Sequence, residues 1–282
     1  MTGPYLKILL PVEMNFKCII ILLFLFSYGA FAQGISSVQP IDSIVIPKQT
    51  SRCFIDPIRN IYFVHKDEIC KLNSVGVQVK QSIKKWQEID GLEAINSLKV
   101  AVFSAEQQQI CLLDNTLSPN GSCINLEDLG LINVTAISAS KRPDMIWLYD
   151  EMNSSLVLFN YVTKKEIQRV DNLQGILGLS GSIKLSENES GLWVNSSDGN
   201  ICLMDDYMNV VRCASETNQA MIPYANGFFF VNENTLYYRD LFEGVKELYK
   251  ISTAKTIKEL YVSGNQLITN DSSVLKVFII QP

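Results

Sequence analysis

Few side chains in this chain are equipped for chemistry. His65 is the only histidine. A histidine metal cluster is therefore excluded, and any serine or cysteine nucleophile would depend on this one imidazole as its base. His65 ends an apolar run, Ile61 to Val64, and is followed by Lys66 and Asp67, which reads as a solvated turn. No G-x-S-x-G, H-E-x-x-H or phosphate-cradling glycine loop occurs.

Two further sets of residues recur along the chain. Six cysteines follow the N-terminal apolar run: Cys53, Cys70, Cys111, Cys123, Cys202 and Cys213. They hold no close C-x-x-C pair, so zinc is not indicated. In an exported chain an even number reads as disulfides. Cys111 with Cys123 and Cys202 with Cys213 each flank one turn and suit cross-strand staples. Cys53 and Cys70 are the remaining pair, although the strand Ile61 to Val64 lies between them. The second set is acidic: Asp67, Glu106, Asp150, Asp198, Glu233 and Asp271 each fall in the turn after an equivalent strand. If those turns share one rim, the acids offer a docking surface for a basic segment or a cation. The simpler reading is that acids are good turn residues in water.

The elements that carry these residues repeat. The clearest unit spans 184–213, where Leu192 to Val194, Ile201 to Met204 and a strand ending at Cys213 are separated by Asn/Asp/Gly/Ser turns. Strand pairs of this kind recur six times. Their equivalent positions, Cys70, Cys111, Val157, Cys202, Tyr237 and Lys276, are spaced by 41, 46, 45, 35 and 39 residues. Short strands at such a period predict an all-β propeller, whose small sheets cannot bury both faces alone and so stack radially. Six blades are expected. Seven remain open, because segments 80–98 and 164–184 are weakly patterned. The last unit has only three strands before Pro282, and Ile35 to Pro47 holds a spare one. The N-terminal strand is expected to complete the final blade and remove the open edges.

Asp198-Gly199-Asn200-Ile201 resembles the D-G-x-I step of six-bladed propellers of the NHL/YVTN-like superfamily, echoed at Lys66 to Ile69, Gln108 to Ile110 and Ser272 to Val274. The resemblance covers the mature chain as a pattern and implies the fold, not a function, since propellers host enzymes and scaffolds alike. Lactonase-type propellers hold calcium near the central channel with Glu, Asn and Asp. The matching types here would be Asp150, Asn195, Asp198 and Asn232.

Residues 1–32 read as a signal peptide. Lys17 precedes the apolar Cys18 to Phe26, and Ala30-Phe31-Ala32 forms a small-x-small cleavage site. The first 13 residues read as an extension ahead of a start at Met14. Residues 33–282 then form a single domain with no transmembrane span. Removing Lys7, Lys17 and Glu13 reduces 24 basic and 29 acidic residues to 22 and 28, a net charge of −6. That balance, with no Lys/Arg-rich run, argues against nucleic acid and anionic membrane surfaces as partners.

Trp147, Trp193 and Phe228 to Phe230 are expected between blades, whereas Tyr237 to Phe242 is a candidate exposed patch. Six N-x-S/T sequons occur, at Asn120, Asn133, Asn153, Asn188, Asn195 and Asn270. The leader resembles those of Bacteroidota envelope proteins. The expectation is a non-catalytic periplasmic or outer-membrane-associated propeller without cofactor. It would bind protein within an envelope assembly for secretion or outer-membrane transport. The alternatives are a calcium-dependent lactonase-type hydrolase and a carbohydrate- or small-ligand-binding propeller.

Overall fold

The computed structural model describes residues 35–216, 220–250 and 256–281. The expected leader, residues 1–32, lies outside them. Strand β1 (Ser37–Val45) stands apart, and the others follow in groups of four. Blade 1 is β2 (Arg52–Ile55), β3 (Ile61–His65), β4 (Glu68–Leu72) and β5 (Gln78–Ser82). Blade 2 is β6 (Gly91–Asn96), β7 (Lys99–Ser104), β8 (Gln109–Asp114) and the two-residue β9 (Ile124–Asn125). Blade 3 is β10 (Val134–Ala139), β11 (Met145–Asp150), β12 (Ser155–Asn160) and β13 (Lys165–Val170). One turn of helix, α1 (Leu173–Leu177), leads on to blade 4. That blade is β14 (Ile183–Asn188), β15 (Gly191–Ser196), β16 (Asn200–Met204) and β17 (Val210–Ser215). Blade 5 is β18 (Met221–Tyr224), β19 (Gly227–Asn232), β20 (Thr235–Asp240) and β21 (Gly244–Lys250). Blade 6 takes β22 (Glu259–Ser263), β23 (Gln266–Asn270) and β24 (Val274–Gln281) from the end of the chain, and β1 from its start.

The protein is therefore a six-bladed β-propeller closed by its first strand. β1 runs antiparallel to β24 from Ser37↔Gln281 to Val45↔Val274, with a bulge at Pro40/Asp42. Ser37 Oγ donates to Gln281 Oε1 at 2.7 Å. The two weakly patterned segments hold parts of blades 1 to 4 and no seventh sheet among the described residues.

Apolar side chains meet between neighbouring sheets. Trp147 and Tyr149 of blade 3 pack with Leu185, Leu192 and Val194 of blade 4. Trp193 packs with Phe228 and Phe230 of blade 5. Blade 6 meets blade 1 through Ile268, Leu275 and Val277 against Ile61 and Phe63. Full burial of such rings accounts for the near-continuous apolar runs of the second strands. Phe228 and Phe230 face one neighbour, while Phe229 turns to the other side and meets Tyr224 and Tyr238.

Turn chemistry repeats with the blades. Every described turn between a third and a fourth strand opens on an Asn or Asp: Asn73, Asp114, Asn160, Asp205 and Asp240. Each side-chain oxygen accepts the backbone N–H two residues on. Each of these Asx turns also passes through one positive-φ residue, Gly76, Leu117, Lys164, Met208 or Gly244. The turns between second and third strands likewise need one left-handed residue each: Lys66, Gln108, Ser154, Gly199, Glu233 and Ser272. Only Gly199 takes that conformation without steric cost.

Two disulfides, Cys111–Cys123 and Cys202–Cys213, tie the third strand of blades 2 and 4 to the chain beyond it. Cys53 and Cys70 are both free, which corrects the expected third bond. Cys53 pairs across β2–β3 with Phe63, and Phe63 pairs across β3–β4 with Cys70. Two strand spacings, about 10 Å, separate the thiols, well beyond disulfide reach. Cys70 instead faces Lys80 on β5, in the same relation as Cys202 to Cys213. Lys80→Cys should therefore form a third staple with Cys70. Oxidised unfolding curves should show a gain of about 2–3 kcal/mol that dithiothreitol abolishes.

Candidate functional site

Antiparallel strands alternate in direction, so the six turns between second and third strands share one end of the ring with the connections between blades. We call this the connector end. All six predicted acids map to it, but they do not converge. Glu106, Asp198 and Glu233 are exposed, and Asp67 and Asp271 are half-buried. Asp150 is fully buried, at 0 % exposure.

The burial of Asp150 corrects its assignment to a solvent-facing rim. Its carboxylate accepts from the backbone of Ile132 (3.3 Å), Asn133 (3.3 Å) and Met152 (3.2 Å), and from Asn153 Nδ2 (2.8 Å). It fastens the connection entering blade 3 to the turn of that blade. Asp198 does the same in blade 4, accepting from Ser180 N (3.0 Å) and Oγ (2.6 Å) and from Ser196 Oγ. These hydroxyl donors hold its carboxyl well below the usual range. In blade 1, Asp67 accepts from Ser82 Oγ at 2.5 Å. Blade 2 reverses the arrangement: Asp90, on the connection, accepts from Ala105 N in the turn at 2.8 Å, which leaves Glu106 to solvent. The predicted acid therefore clamps turn to connector in blades 1, 3 and 4, whereas Asp271 accepts from Ser273 and Val274 of its own turn.

Among the described residues, no three His, Cys, Asp or Glu side chains are placed to hold a metal ion. The carboxylates of Asp150 and Asp198 already accept three or more hydrogen bonds each. Both carboxylates are thus engaged by donors of the chain itself. His65 is exposed and lies with Lys48, Lys66, Asp67 and Trp86 along an open cleft of about 850 Å³.

The mouth of the central channel at the connector end is a cavity of about 810 Å³. Its lining includes Arg52, Lys184, Glu233, Lys258, Glu259 and Asn270. Arg52 is bound to Asp90 at 3.0 Å and Glu88 at 3.5 Å. Glu259 accepts from Tyr261 OH at 2.5 Å and Asn270 Nδ2 at 3.1 Å. Cys53 borders the same cavity, but burial pushes its thiol up to about 12. A thiol that stays protonated is a poor nucleophile.

Deeper on the channel wall, Glu93 of β6 accepts from Ala139 N of β10 at 3.2 Å. Burial pushes its carboxyl up to about 7, with the Ala139 bond opposing the shift. A carboxyl raised above its unfolded value contributes stability below the unfolded pKa and loses it as pH rises through the folded one. Stability should therefore fall as pH rises from about 4.5 to about 7. Glu93→Gln should flatten that slope and exceed the wild type by about 1–2 kcal/mol at pH 8, the two converging near pH 4.5, as read by urea unfolding.

The candidate patch Tyr237 to Phe242 is mostly interior. Tyr238 and Leu241 are buried, and Tyr238 OH donates to Tyr224 O at 3.1 Å. Only Phe242 is open, beneath the Arg212 guanidinium. It lies at the end opposite the connectors, so no aromatic platform forms there at the channel mouth. Two of the sequon asparagines, Asn195 and Asn270, are buried.

No family model matches the chain, and no curated protein matches it in sequence. Solved structures match the fold. The Pan2 WD40 domain of Neurospora crassa superposes with a TM-score of 0.57 at 9% identity, covering 89% of this chain and 97% of that one. The Cps50 (Swd1) β-propeller domain of Myceliophteria thermophila gives 0.59 at 10% identity, covering 86% and 100%. A streptogramin B lyase gives 0.58 at 12% identity, covering 83% and 80%. At these identities the likeness shows the fold alone, shared by a WD40 domain and a lyase.

Proposed function

We propose that this chain is an exported, non-catalytic β-propeller. It acts as a protein-binding subunit of a cell-envelope assembly, in the periplasm or at the outer membrane, serving secretion or outer-membrane transport. The observation that carries the reading is that all six second-to-third turns open onto one end of a ring locked by β1 against β24. Five of them keep their predicted acid exposed or half-exposed. A closed ring of this kind holds many loops in fixed relation, which reduces the ordering cost of binding. The two disulfides fit an oxidising compartment. No helix among the described residues is long and apolar enough to cross a membrane.

The test is a tagged pull-down from native envelope in mild detergent, with mass spectrometry of what co-purifies. A stoichiometric envelope protein supports the reading. A propeller that emerges alone from every extract overturns it.

A further inference from the structure

Three apolar side chains at the connector end are held open to solvent where burial would be expected: Ile132 at 54 %, Met152 at 65 % and Ile176 at 52 % exposure. One turn, residues 151–154, organises all three. The backbone N–H groups of Ile132 and Met152 both donate to the buried carboxylate of Asp150, which sets the two residues side by side. Helix α1, which carries Ile176, starts from the same turn. Leu173 N donates to Ser154 O at 2.8 Å, and Gln174 N to Ser154 Oγ at 3.0 Å. The trio therefore stands on a fixed backbone frame.

The loops that carry it bear charge of one sign. Glu106, Glu127, Asp128, Glu151, Asp171 and Asp198 are all exposed on the loops of blades 2 to 4 at this end. Those loops, residues 105–108, 126–133, 151–154, 171–182 and 197–199, contain no Lys or Arg. One cation reaches the group from a neighbouring strand: Arg169, which lies 3.8 Å from Asp171 while bonded to Glu166. The lysines of this end border the group on two sides: Lys48, Lys66 and Lys84, with Lys85 next in sequence, line the cleft beside blade 1 that Glu106 also lines, and Lys184 and Lys258 line the channel mouth.

We infer that the connector end of blades 2 to 4 is a docking surface for a basic segment of a partner protein, anchored by apolar side chains on Ile132, Met152 and Ile176. The inference rests on the protein-binding reading above and adds the place and the chemistry. Apolar anchors supply affinity, and the acidic surround selects and orients a Lys/Arg-rich chain while repelling acidic ones. The surface corrects the six-fold rim, because Asp150 acts beneath it as a fastener and Glu127, Asp128 and Glu151 take the solvent-facing role.

The test uses the whole folded protein at physiological salt with short labelled Lys/Leu, Lys/Ser and Glu/Leu peptides, read by fluorescence anisotropy. The Lys/Leu peptide should bind, and Ile132→Ser/Met152→Ser/Ile176→Ser should weaken it about tenfold. All three side chains are exposed, so the variant should keep its melting temperature. The inference is overturned if Lys/Leu does not bind, if Lys/Ser binds equally well, or if the triple variant binds unchanged. The same variant in the envelope pull-down separates the two claims. Equal capture of the wild-type partner removes this surface but leaves the protein-binding role, whereas a solitary wild type removes the role itself.

Discussion

Removing residues 37–45 should cost most of the folding free energy, on the order of the ~5–15 kcal/mol that holds a domain together. The deletion takes away eight paired positions along β24 and the buried side chain of Val38. It also leaves the buried Leu275, Val277 and Phe278 of the closing sheet beside an open edge. An unpaired apolar strand in place of a closed ring is a site for aggregation. The expected outcome is loss of the cooperative urea transition and association at micromolar concentration. Val38→Asp is the milder companion, placing an unpaired carboxylate at a position only 3 % exposed. It should cost about 3 kcal/mol while retaining a single transition. Cooperative unfolding of the deleted chain at wild-type denaturant would mean that the ring does not depend on its first strand.

Asp150→Ala should have the second-largest effect, a loss of about 3–4 kcal/mol. The alanine removes one carboxylate and leaves the N–H groups of Ile132, Asn133 and Met152 without their acceptor. Hydrogen bonds to a charged group contribute about 1.5–3 kcal/mol, and orphaned donors add a desolvation penalty. Asp150→Asn keeps one acceptor oxygen and should lose about half as much. The comparison that matters is with Glu151→Ala, one residue on and exposed, which should stay within about 0.5 kcal/mol of wild type. If Asp150→Ala were equally mild, the fastening role would be wrong, and so would the rigid frame beneath Ile132 and Met152. Chemical denaturation of the three variants, with proteolysis of the 126–133 loop as a local probe, decides between these outcomes.

Much of the architecture was legible because propeller physics writes itself locally. Second strands such as Trp147 to Tyr149 and Phe228 to Phe230 are covered on both faces, so they appear as apolar runs at a regular period. The spare strand near the start and the missing strand near the end point to closure from sequence alone. The two bonded cysteine pairs were readable because each spans one turn. A further signal went unread: Asn73, Asp114, Asn160, Asp205 and Asp240 repeat at intervals of 41, 46, 45 and 35 residues, the same as the strand period. They are the Asx turns of the outer strands. The D-G-x-I step was visible once because five of the six left-handed turn positions are occupied by residues other than glycine.

The candidate site was less legible. Asp150 and Glu151 are adjacent acids at one turn, and sequence marks both as turn residues in water. Which one is buried depends on whether the chain from blade 2 passes over that turn, a contact between residues about 18 positions apart. Cys53 and Cys70 differ: the strand Ile61 to Val64 between them is visible in sequence, and the register that sets Phe63 opposite both fixes the thiols two strands apart.

The sequence alone therefore determined the period, the blade number favoured by it, the closing strand and the short-range disulfides, because each follows from contacts within one blade or from an unpaired edge. Tertiary structure decided which acids are fasteners and which face solvent, and which apolar residues stand open among them. Those properties arise where connections between blades cross the turns, and no local pattern of residues encodes that crossing.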